Sequence, residues 1–408
     1  MLGDPGKASF IVRSVDAAKS LSRFGFVAPA GVVFDTPPTA ASGEIYSNPS
    51  PGSPHGYHAI LAFERQSTAY EVKLLDESGG LVHRWPVFAG DVAAASLVTP
   101  HGFVILPDGS LIANSGMGGT GGFLVKFDRC GNELWRRDEP FHHLMSFDDD
   151  GFLWTWRGAD SAYSPVQEIV RIDPETGETA SSISLNKEIF GDPVDQLAFL
   201  GMPMAGPENG GDSEADIFHP NDVEVLSAEM APYFPMFEMG DILISLRNLN
   251  MIAVIDRRTH KIKWSAQGPW RRQHDPDFMT TGEISLFNNN FVAHGERIVD
   301  RELSSVLAVN PGTGRVRTVL GPKKLRFYSK EMGAHRWISD NLLEVVAPFE
   351  GRVLIYDLKR KKKVFAFNNR LDDTASAHVA MADWLPEGFF NRPPSAFFQC
   401  PAGAVASL

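Results

Sequence analysis

The chain has 408 residues, of which 43% are hydrophobic and 22% are charged, so its composition is that of a globular protein of one large domain or two smaller ones. Its net charge of −12 argues against nucleic acid as a partner, because the field of the whole molecule repels polyanions. No apolar run reaches the roughly 18–20 residues that span a bilayer, and the start of the chain lacks the pattern of a secretory signal. We therefore expect a soluble chain without a membrane segment.

The first 50 residues lack a regular strand pattern and end in a stretch rich in Pro, Ser and Gly. We interpret residues 1–50 as an extension and connector. From residue 51 onward, an apolar strand that ends in Asp or Asn recurs, followed by a short turn and a second strand. The six copies end at Asp76, Asp128, Asp173, Asp256, Asn310 and Asp357.

Most copies follow one another at about 45–50 residues, the length of one blade of a β-propeller. The first three strands lack a leading strand, whereas SAHVAMADW near the C-terminus is a leading strand without a hairpin. The sequence therefore predicts an all-β, six-bladed β-propeller over residues 51–390, closed by pairing of the C-terminal strand with the N-terminal blade. Residues 391–408 are left as a C-terminal tail.

A histidine precedes the leading strand of five blades, and His378 stands at the same place in the sixth. His101, His143 and His274 are each followed eight residues later by a turn glycine, and His219 and His335 begin similar hairpins. Leading strands line the axis of a propeller, so these imidazoles are expected to converge with Arg247, Arg297 and Arg301 from neighbouring loops. Such a cationic rim suits a sulfate, phosphate or carboxylate. A purely structural role for repeated histidines is the alternative for His101, His143 and His378.

The elements HPND, RRQHDPDF and FNNN, within residues 219–301, resemble the aryl-sulfate sulfotransferase family. The resemblance implies a six-bladed propeller that transfers a sulfuryl group from an aryl sulfate to a phenol through a sulfated histidine, without a cofactor. Members of that family are often periplasmic or membrane-anchored. Carried over to this chain, it implies catalytic roles for His219, His274, Arg297 and, as nucleophile, His335. A second alignment puts the nucleophile position at Glu350 to Arg352, where no histidine stands.

We assign substrate binding to His101, His143, Arg247, Arg301 and Asn221. A different class of function also fits the pattern, because nitrogen ligands from several blades could hold one transition-metal ion. The ligands would be His101, His143, His219, His274 and His335, and the protein would then be a metal-dependent lyase, hydrolase or oxidase. A non-catalytic binding propeller is the third alternative. The two cysteines, Cys130 and Cys400, are too few for a disulfide framework or a cysteine-based metal site.

Overall fold

The computed structural model describes residues 32–36, 45–48, 53–67, 69–87, 99–116, 122–158, 167–191, 218–291, 293–294, 297–298 and 303–400. Strands dominate these residues, as the short apolar runs between turn residues predict. The first thirteen are β1 (Val33–Asp35), β2 (Ile45–Ser47), β3 (Gly56–Glu64), β4 (Ala69–Asp76), β5 (Leu81–Pro86), β6 (Thr99–Ile105), β7 (Leu111–Gly116), β8 (Phe123–Phe127), β9 (Glu133–Arg137), β10 (Phe141–Phe147), β11 (Leu153–Arg157), β12 (Glu168–Ile172) and β13 (Thr179–Ser184).

The second half of the chain continues the same pattern. Its strands are β14 (Pro220–Val225), β15 (Ile242–Leu246), β16 (Met251–Ile255), β17 (Ile262–Gln267), β18 (His274–Phe278), β19 (Ile284–Asn288), β20 (Ala293–His294), β21 (Arg297–Ile298), β22 (Ser305–Val309), β23 (Val316–Leu320), β24 (Ala334–Ser339), β25 (Leu342–Ala347), β26 (Arg352–Asp357), β27 (Lys362–Asn368), β28 (Ala375–Ala377) and β29 (Val379–Pro386).

The helices of the described residues are short. They are a π-helical turn at Leu185–Ile189, 3₁₀ turns at Ala231–Tyr233, Arg247–Leu249 and Pro348–Glu350, and α1 at Pro394–Phe397. Within the described ranges, therefore, none has the length and apolar character needed to cross a membrane.

Six antiparallel sheets form the blades of a propeller, which confirms the predicted fold class. Blade 1 has the order β29-β3-β4-β5, blade 2 has β6 to β9, blade 3 has β10 to β13, and blade 4 has β14 to β17. Blade 5 has the order β18-β19-β22-β23, with the small β20–β21 hairpin inserted, and blade 6 contains β24 to β27. The C-terminal β29 pairs with β3, so the ring closes as the sequence predicts. This closure gives blade 1 its leading strand, and it pairs the edge of β3 that would otherwise be free.

Two short strands ahead of residue 50 add to this ring. The strand β2 extends blade 6 by pairing with β27, and β1 pairs with β28.

The hydrophobic core lies between the blades. Each of six clusters of buried residues in the described chain joins two adjacent blades; Leu124 of blade 2, for example, packs with Phe141 and Leu153 of blade 3. The middle strands β15 and β16 are buried along their whole length, whereas the outer β17 alternates between half-buried and exposed residues. Burial in this blade therefore decreases toward the outermost strand.

The turn glycines predicted after the first hairpin strands are present. Gly109, Gly151 and Gly282 have φ angles of 80°, 81° and 71°, a region where only glycine is unstrained. The same eight-residue spacing therefore produces the same hairpin three times.

The two cysteines form a single bridge. Cys130 follows β8, and Cys400 lies three residues beyond α1, with Cα atoms 5.6 Å apart. This single disulfide links the C-terminal tail to blade 2. The sequence did not predict that these two cysteines pair.

Candidate functional site

The leading strands of the six blades contact one another in a ring. Contacts run from β29 to β6, β10, β14, β18 and β24, and back to β29. Residues at the starts of these strands therefore approach the axis from different blades, as the repeat predicts. The structure brings His101, His143, His219 and His274 together there, and we refer to these four as the histidine cluster.

The rings of the histidine cluster are in direct contact. The centroid of the His143 ring lies 4.6 Å from that of His101 and 5.4 Å from that of His219. His274 lines the same cavity as His101 and His143. His143, His219 and His274 are all less than 10% exposed, so the cluster is largely shielded from bulk water.

Irregular backbone turns these side chains toward the axis. His143 and His219 have positive φ angles of 65° and 44°, which are uncommon for residues other than glycine. The pairing of β6, β10, β14 and β18 with the next strand shifts register at the same level, which marks β-bulges. Bulges re-aim side chains and are frequent beside functional sites. The same backbone irregularity therefore recurs in four neighbouring blades.

The hydrogen bonds around His274 fix which of its nitrogens carries the proton. Its Nδ1 lies 2.8 Å from Asn289 Oδ1 and 3.1 Å from the backbone oxygen of Arg272. The amide of Asn289 cannot be reversed, because its Nδ2 donates to the carbonyls of Ser329 and Met332. Both neighbours of Nδ1 are thus acceptors, so Nδ1 carries the hydrogen. In the neutral ring the lone pair is then on Nε2.

A second chain of hydrogen bonds orders His143. The Nδ1 of His143 lies 2.5 Å from the Nδ1 of His142, whose Nε2 contacts Gln167 Oε1 at 2.9 Å. One of the two Nδ1 atoms must donate and the other accept. If His142 donates from Nε2 to Gln167, its Nδ1 accepts, and His143 donates from Nδ1. The Nε2 of His143 then carries a lone pair, as in His274.

Burial keeps these imidazoles neutral. It lowers the pKa of His143 and of His274 well below the usual value; the charges of neighbouring histidines add to the effect at His143, and the charge of Arg247 adds to it at His274. Burial, followed by the charge of His101, lowers the pKa of His378 to about 3. Two members of the cluster are therefore unprotonated at neutral pH, so they do not supply the cationic charge that the sequence analysis expected of the rim.

Asn221 contributes an unused hydrogen-bond acceptor to the cavity. It is fully buried, and its Nδ2 donates to the backbone oxygen of Gln273 at 2.8 Å. This bond leaves Oδ1 as an acceptor, which has no hydrogen-bond partner within the described part of the chain. The cavity that Asn221 shares with His101, His143 and His274 measures about 20 Å³. That is room for a water-sized group, so the rings must move apart to admit anything larger.

Of the three arginines predicted near the histidines, only Arg247 lies fully within the described residues. Arg247 begins the 3₁₀ turn after β15, its backbone N–H donates to the His219 carbonyl, and its charge acts on His274. Arg247 therefore belongs to the surroundings of the cluster. The backbone of Arg297 lies in β21, but its side chain and the whole of Arg301 lie outside the described residues.

His335 lies deeper along the axis, among carboxylates. Its backbone N–H donates to Asp275 Oδ2, its Nδ1 lies 3.1 Å from that same oxygen, and its Nε2 lies 3.3 Å from Asp277 Oδ2. Burial favours the neutral ring, but the charges of Asp277 and Asp275 outweigh it and raise the pKa of His335. Four of the five histidines proposed as metal ligands thus form a cluster, while His335 has acidic neighbours.

Three features of the site were not singled out in the sequence. Asn289, which orients His274, comes from the FNNN loop, whose asparagines were assigned no role. His142 stands outside the repeat, so the spacing gave no reason to select it. Asp275 and Asp277 lie on β18 of blade 5 and His335 on β24 of blade 6, so only the fold brings these carboxylates to the histidine.

The chain resembles known proteins in both sequence and structure. The profile of the family described as arylsulfotransferase (ASST) matches residues 102–370. No match was found among curated proteins. A solved protein of unknown function from Bacteroides caccae is 11% identical, with a TM-score of 0.50 over 81% of this chain and 99% of that one. Virginiamycin B lyase from Staphylococcus aureus is 13% identical, with a TM-score of 0.36 over 66% of this chain and 69% of that one. The first likeness supports the fold alone, whereas the profile spans well over half of the sequence, and the chain therefore belongs to the arylsulfotransferase family.

Proposed function

We propose that this protein transfers a sulfuryl group from an aryl sulfate to a phenol, with Nε2 of His274 as the nucleophile. Membership of the arylsulfotransferase family supports the reaction class. The observation that supports His274 is its fixed tautomer, because Asn289 and Arg272 take the Nδ1 hydrogen and leave a lone pair on Nε2. A lowered pKa keeps that lone pair available at neutral pH.

In the first half-reaction, Nε2 of His274 attacks sulfur and the bond between sulfur and the aryl oxygen breaks. The phenolate leaves with the electron pair of that bond, and the ring gains a positive charge as the S–N bond forms. The Nδ1 hydrogen then bonds more strongly to Asn289 Oδ1 and to the Arg272 carbonyl, because its donor has become cationic. We assign to Arg247, whose charge acts on His274, the role of attracting the sulfuryl oxygens.

In the second half-reaction, the oxygen of the acceptor phenol attacks sulfur and the S–N bond breaks, which returns its electron pair to Nε2. The acceptor loses its proton to a neighbouring neutral imidazole, and we assign this role to His143, which lines the same cavity as His274. Before the transfer, Asn221 Oδ1 would accept the hydrogen bond of the bound hydroxyl, whose proton then passes to His143. We propose Arg297 and Arg301 as further ligands of the sulfuryl oxygens. We propose that His101 and His219 help to position these oxygens.

This assignment moves the nucleophile from His335 to His274. The raised pKa of His335 favours an imidazolium, which has no lone pair with which to attack sulfur. Its neighbours Asp275 and Asp277 would also repel an anionic sulfate ester.

The test is an assay with 4-nitrophenyl sulfate as donor and phenol as acceptor. Without acceptor, wild-type protein should release a burst of one 4-nitrophenol per chain and gain the mass of one SO₃ group on the peptide that contains His274. His274→Ala should lose the burst, whereas His260→Ala, a change outside the cluster, should retain it. A burst that survives in His274→Ala, or a label on His335, would refute the assignment. Transfer that disappears with a chelator would instead favour the metal-dependent alternative.

A further inference from the structure

A second cavity lies beyond the histidine cluster, on the axis, and its polar lining is acidic. Its volume is about 450 Å³. Leu144 and Met381 line both cavities and lie between them. The carboxylates that line the second cavity are Asp222, Glu224, Asp275, Asp277 and Asp383. The basic groups among the lining residues are His335 and Arg336.

The positive charges do not balance the carboxylates. Arg336 forms an ion pair with Asp383 at 2.7 Å, which leaves His335 among the other four. A small cation would relieve the repulsion among these carboxylates.

Three of these side chains lie close enough together to hold one metal ion. Asp275, Asp277 and His335 each offer one ligand atom, and the three atoms lie within 4.8 Å of one another. The distance of 3.1 Å between His335 Nδ1 and Asp275 Oδ2 is close to the separation of about 3 Å between adjacent ligands of an octahedral ion with bonds of about 2.1 Å. Both groups could therefore bind one ion without moving far.

The ring of His335 is held in the orientation that a ligand needs. It is 4% exposed, and its Nδ1 has no hydrogen bond within the described residues, since the contact with Asp275 has ion-pair distance without hydrogen-bond geometry. On the other side of the ring, Nε2 lies 2.8 Å from Ser285 Oγ, which also accepts the indole N–H of Trp337. A metal ion would have to displace the proton from Nδ1, while the hydrogen on Nε2 stays bonded to Ser285, and metal-binding histidines are commonly oriented in this way. Asp277, whose Oδ2 lies 3.3 Å from Nε2, would then turn toward the ion on Nδ1.

We propose that Asp275, Asp277 and His335 bind one divalent metal ion of the Mn²⁺ or Zn²⁺ class. Two carboxylate oxygens and one imidazole nitrogen suit these ions better than Ca²⁺ or Mg²⁺, which prefer oxygen ligands alone. This site differs from a metal held by the histidine cluster, because its carboxylates supply most of the ligands. It is also independent of sulfuryl transfer, which needs no metal in the route above.

The proposal is tested on the full chain after treatment with a chelator and removal of the chelator. Mn²⁺ and Zn²⁺ are titrated by calorimetry, and Ca²⁺ and Mg²⁺ serve as competitors. Wild-type protein should bind one Mn²⁺ or Zn²⁺ per chain with a rise in Tm, and the electron spin echo of bound Mn²⁺ should show coupling to one imidazole nitrogen. No binding, or binding of Ca²⁺ and Mg²⁺ alone, would overturn the proposal.

Variants locate the site. His335→Gln should remove the nitrogen coupling, Asp277→Asn should weaken Mn²⁺ binding at least about 100-fold, and Ser285→Ala should weaken it about 10- to 100-fold as a positioning residue. The control is Asp373→Asn, since Asp373 is a fully exposed carboxylate that should leave binding unchanged. The Tm of each metal-free variant shows whether it is folded, so a loss of binding in a folded variant is assigned to the ligand set. Binding unchanged in both His335→Gln and Asp277→Asn would refute the ligand assignment.

Discussion

Asn289→Ala tests the proposed role of His274, because it removes one acceptor of the Nδ1 hydrogen and leaves the histidine in place. The side chain of Asn289 is fully buried, makes the 2.8 Å contact with His274 Nδ1, and donates to the carbonyls of Ser329 and Met332. The substitution should therefore lower both stability and the rate of the first half-reaction. These two effects have to be separated.

The kinetic effect follows from the charge of the ring. A hydrogen bond between neutral groups contributes about 1 kcal/mol, and one to a charged group contributes about 1.5–3 kcal/mol. The contact with Asn289 therefore strengthens by about 0.5–2 kcal/mol as His274 becomes cationic. Since about 1.4 kcal/mol corresponds to a tenfold change in rate, the burst should slow by about 2- to 30-fold. The Arg272 carbonyl, 3.1 Å from Nδ1, still accepts the hydrogen and favours the lower end of this range.

The neighbouring Asn288 provides a matched control. It is also buried and comes from the same FNNN loop, but its side chain bonds to the backbone N–H groups of Arg271 and Asn290 and to Ser305. Asn288→Ala should therefore lower Tm without slowing the burst. Stopped-flow release of 4-nitrophenol, with Tm measured on the same samples, distinguishes the two variants. Equal burst rates for Asn289→Ala and wild type would refute the role given to His274.

Three further predictions concern the disulfide, pH and the acceptor. Cys400→Ser should lower the free energy of unfolding by about 2–4 kcal/mol, because the bridge to Cys130 closes a loop of 270 residues in the unfolded chain; urea denaturation with and without reductant measures it. The pKa of about 3 for His378 means that below about pH 6.5 the unfolded chain takes up a proton that the folded chain does not. Because of this residue, the free energy of unfolding should be at its full value above pH 6.5 and should fall by about 1.4 kcal/mol per pH unit between pH 6.5 and pH 3. In His378→Gln, the urea midpoint should therefore decline less steeply as the pH is lowered. Asn221→Ala should raise KM for the phenol by about 3- to 10-fold, the value of one hydrogen bond, and leave the burst unchanged.

Each of these predictions has an outcome that contradicts it. Reductant that leaves the urea midpoint of wild-type protein unchanged would show that the Cys130–Cys400 bridge adds no stability. Parallel pH profiles for His378→Gln and wild type would contradict a neutral buried imidazole at that position. A slower burst in Asn221→Ala, with KM for phenol unchanged, would place that residue in the first half-reaction instead.

The repeat in the sequence was sufficient to predict the fold. Strands that end in Asp or Asn recur at near-constant spacing, and a leading strand without a hairpin stands near the C-terminus, so both the blade number and the closure follow from the pattern. The turn glycines Gly109, Gly151 and Gly282 take positive φ angles because the hairpins are equivalent. Local spacing controls these features, and local spacing is what a single sequence displays.

Side-chain environments are a different matter, because residues distant in sequence create them. The bond between Cys130 and Cys400 spans 270 residues, and the spacing alone offers no reason to pair them. The orientation of His274 depends on Asn289 from the next strand of its blade and, through Asn289, on carbonyls at Ser329 and Met332. Such contacts follow from the fold, so only the approximate location of the site was predictable.

His274 and His335 show why an equivalent place in the repeat does not confer an equivalent role. Both precede or begin the leading strand of a blade and both are buried, yet burial lowers the pKa of one while Asp277 and Asp275 raise the pKa of the other. The difference arises in the sequence HDPD, since His274 itself stands next to the carboxylates that surround His335. The bulge in β18 directs His274 toward the neutral cluster and Asp275 toward blade 6. One irregular strand thus separates a cavity lined by neutral histidines from an acidic cavity, so the proposed sulfuryl transfer and the proposed metal site are expected to act independently.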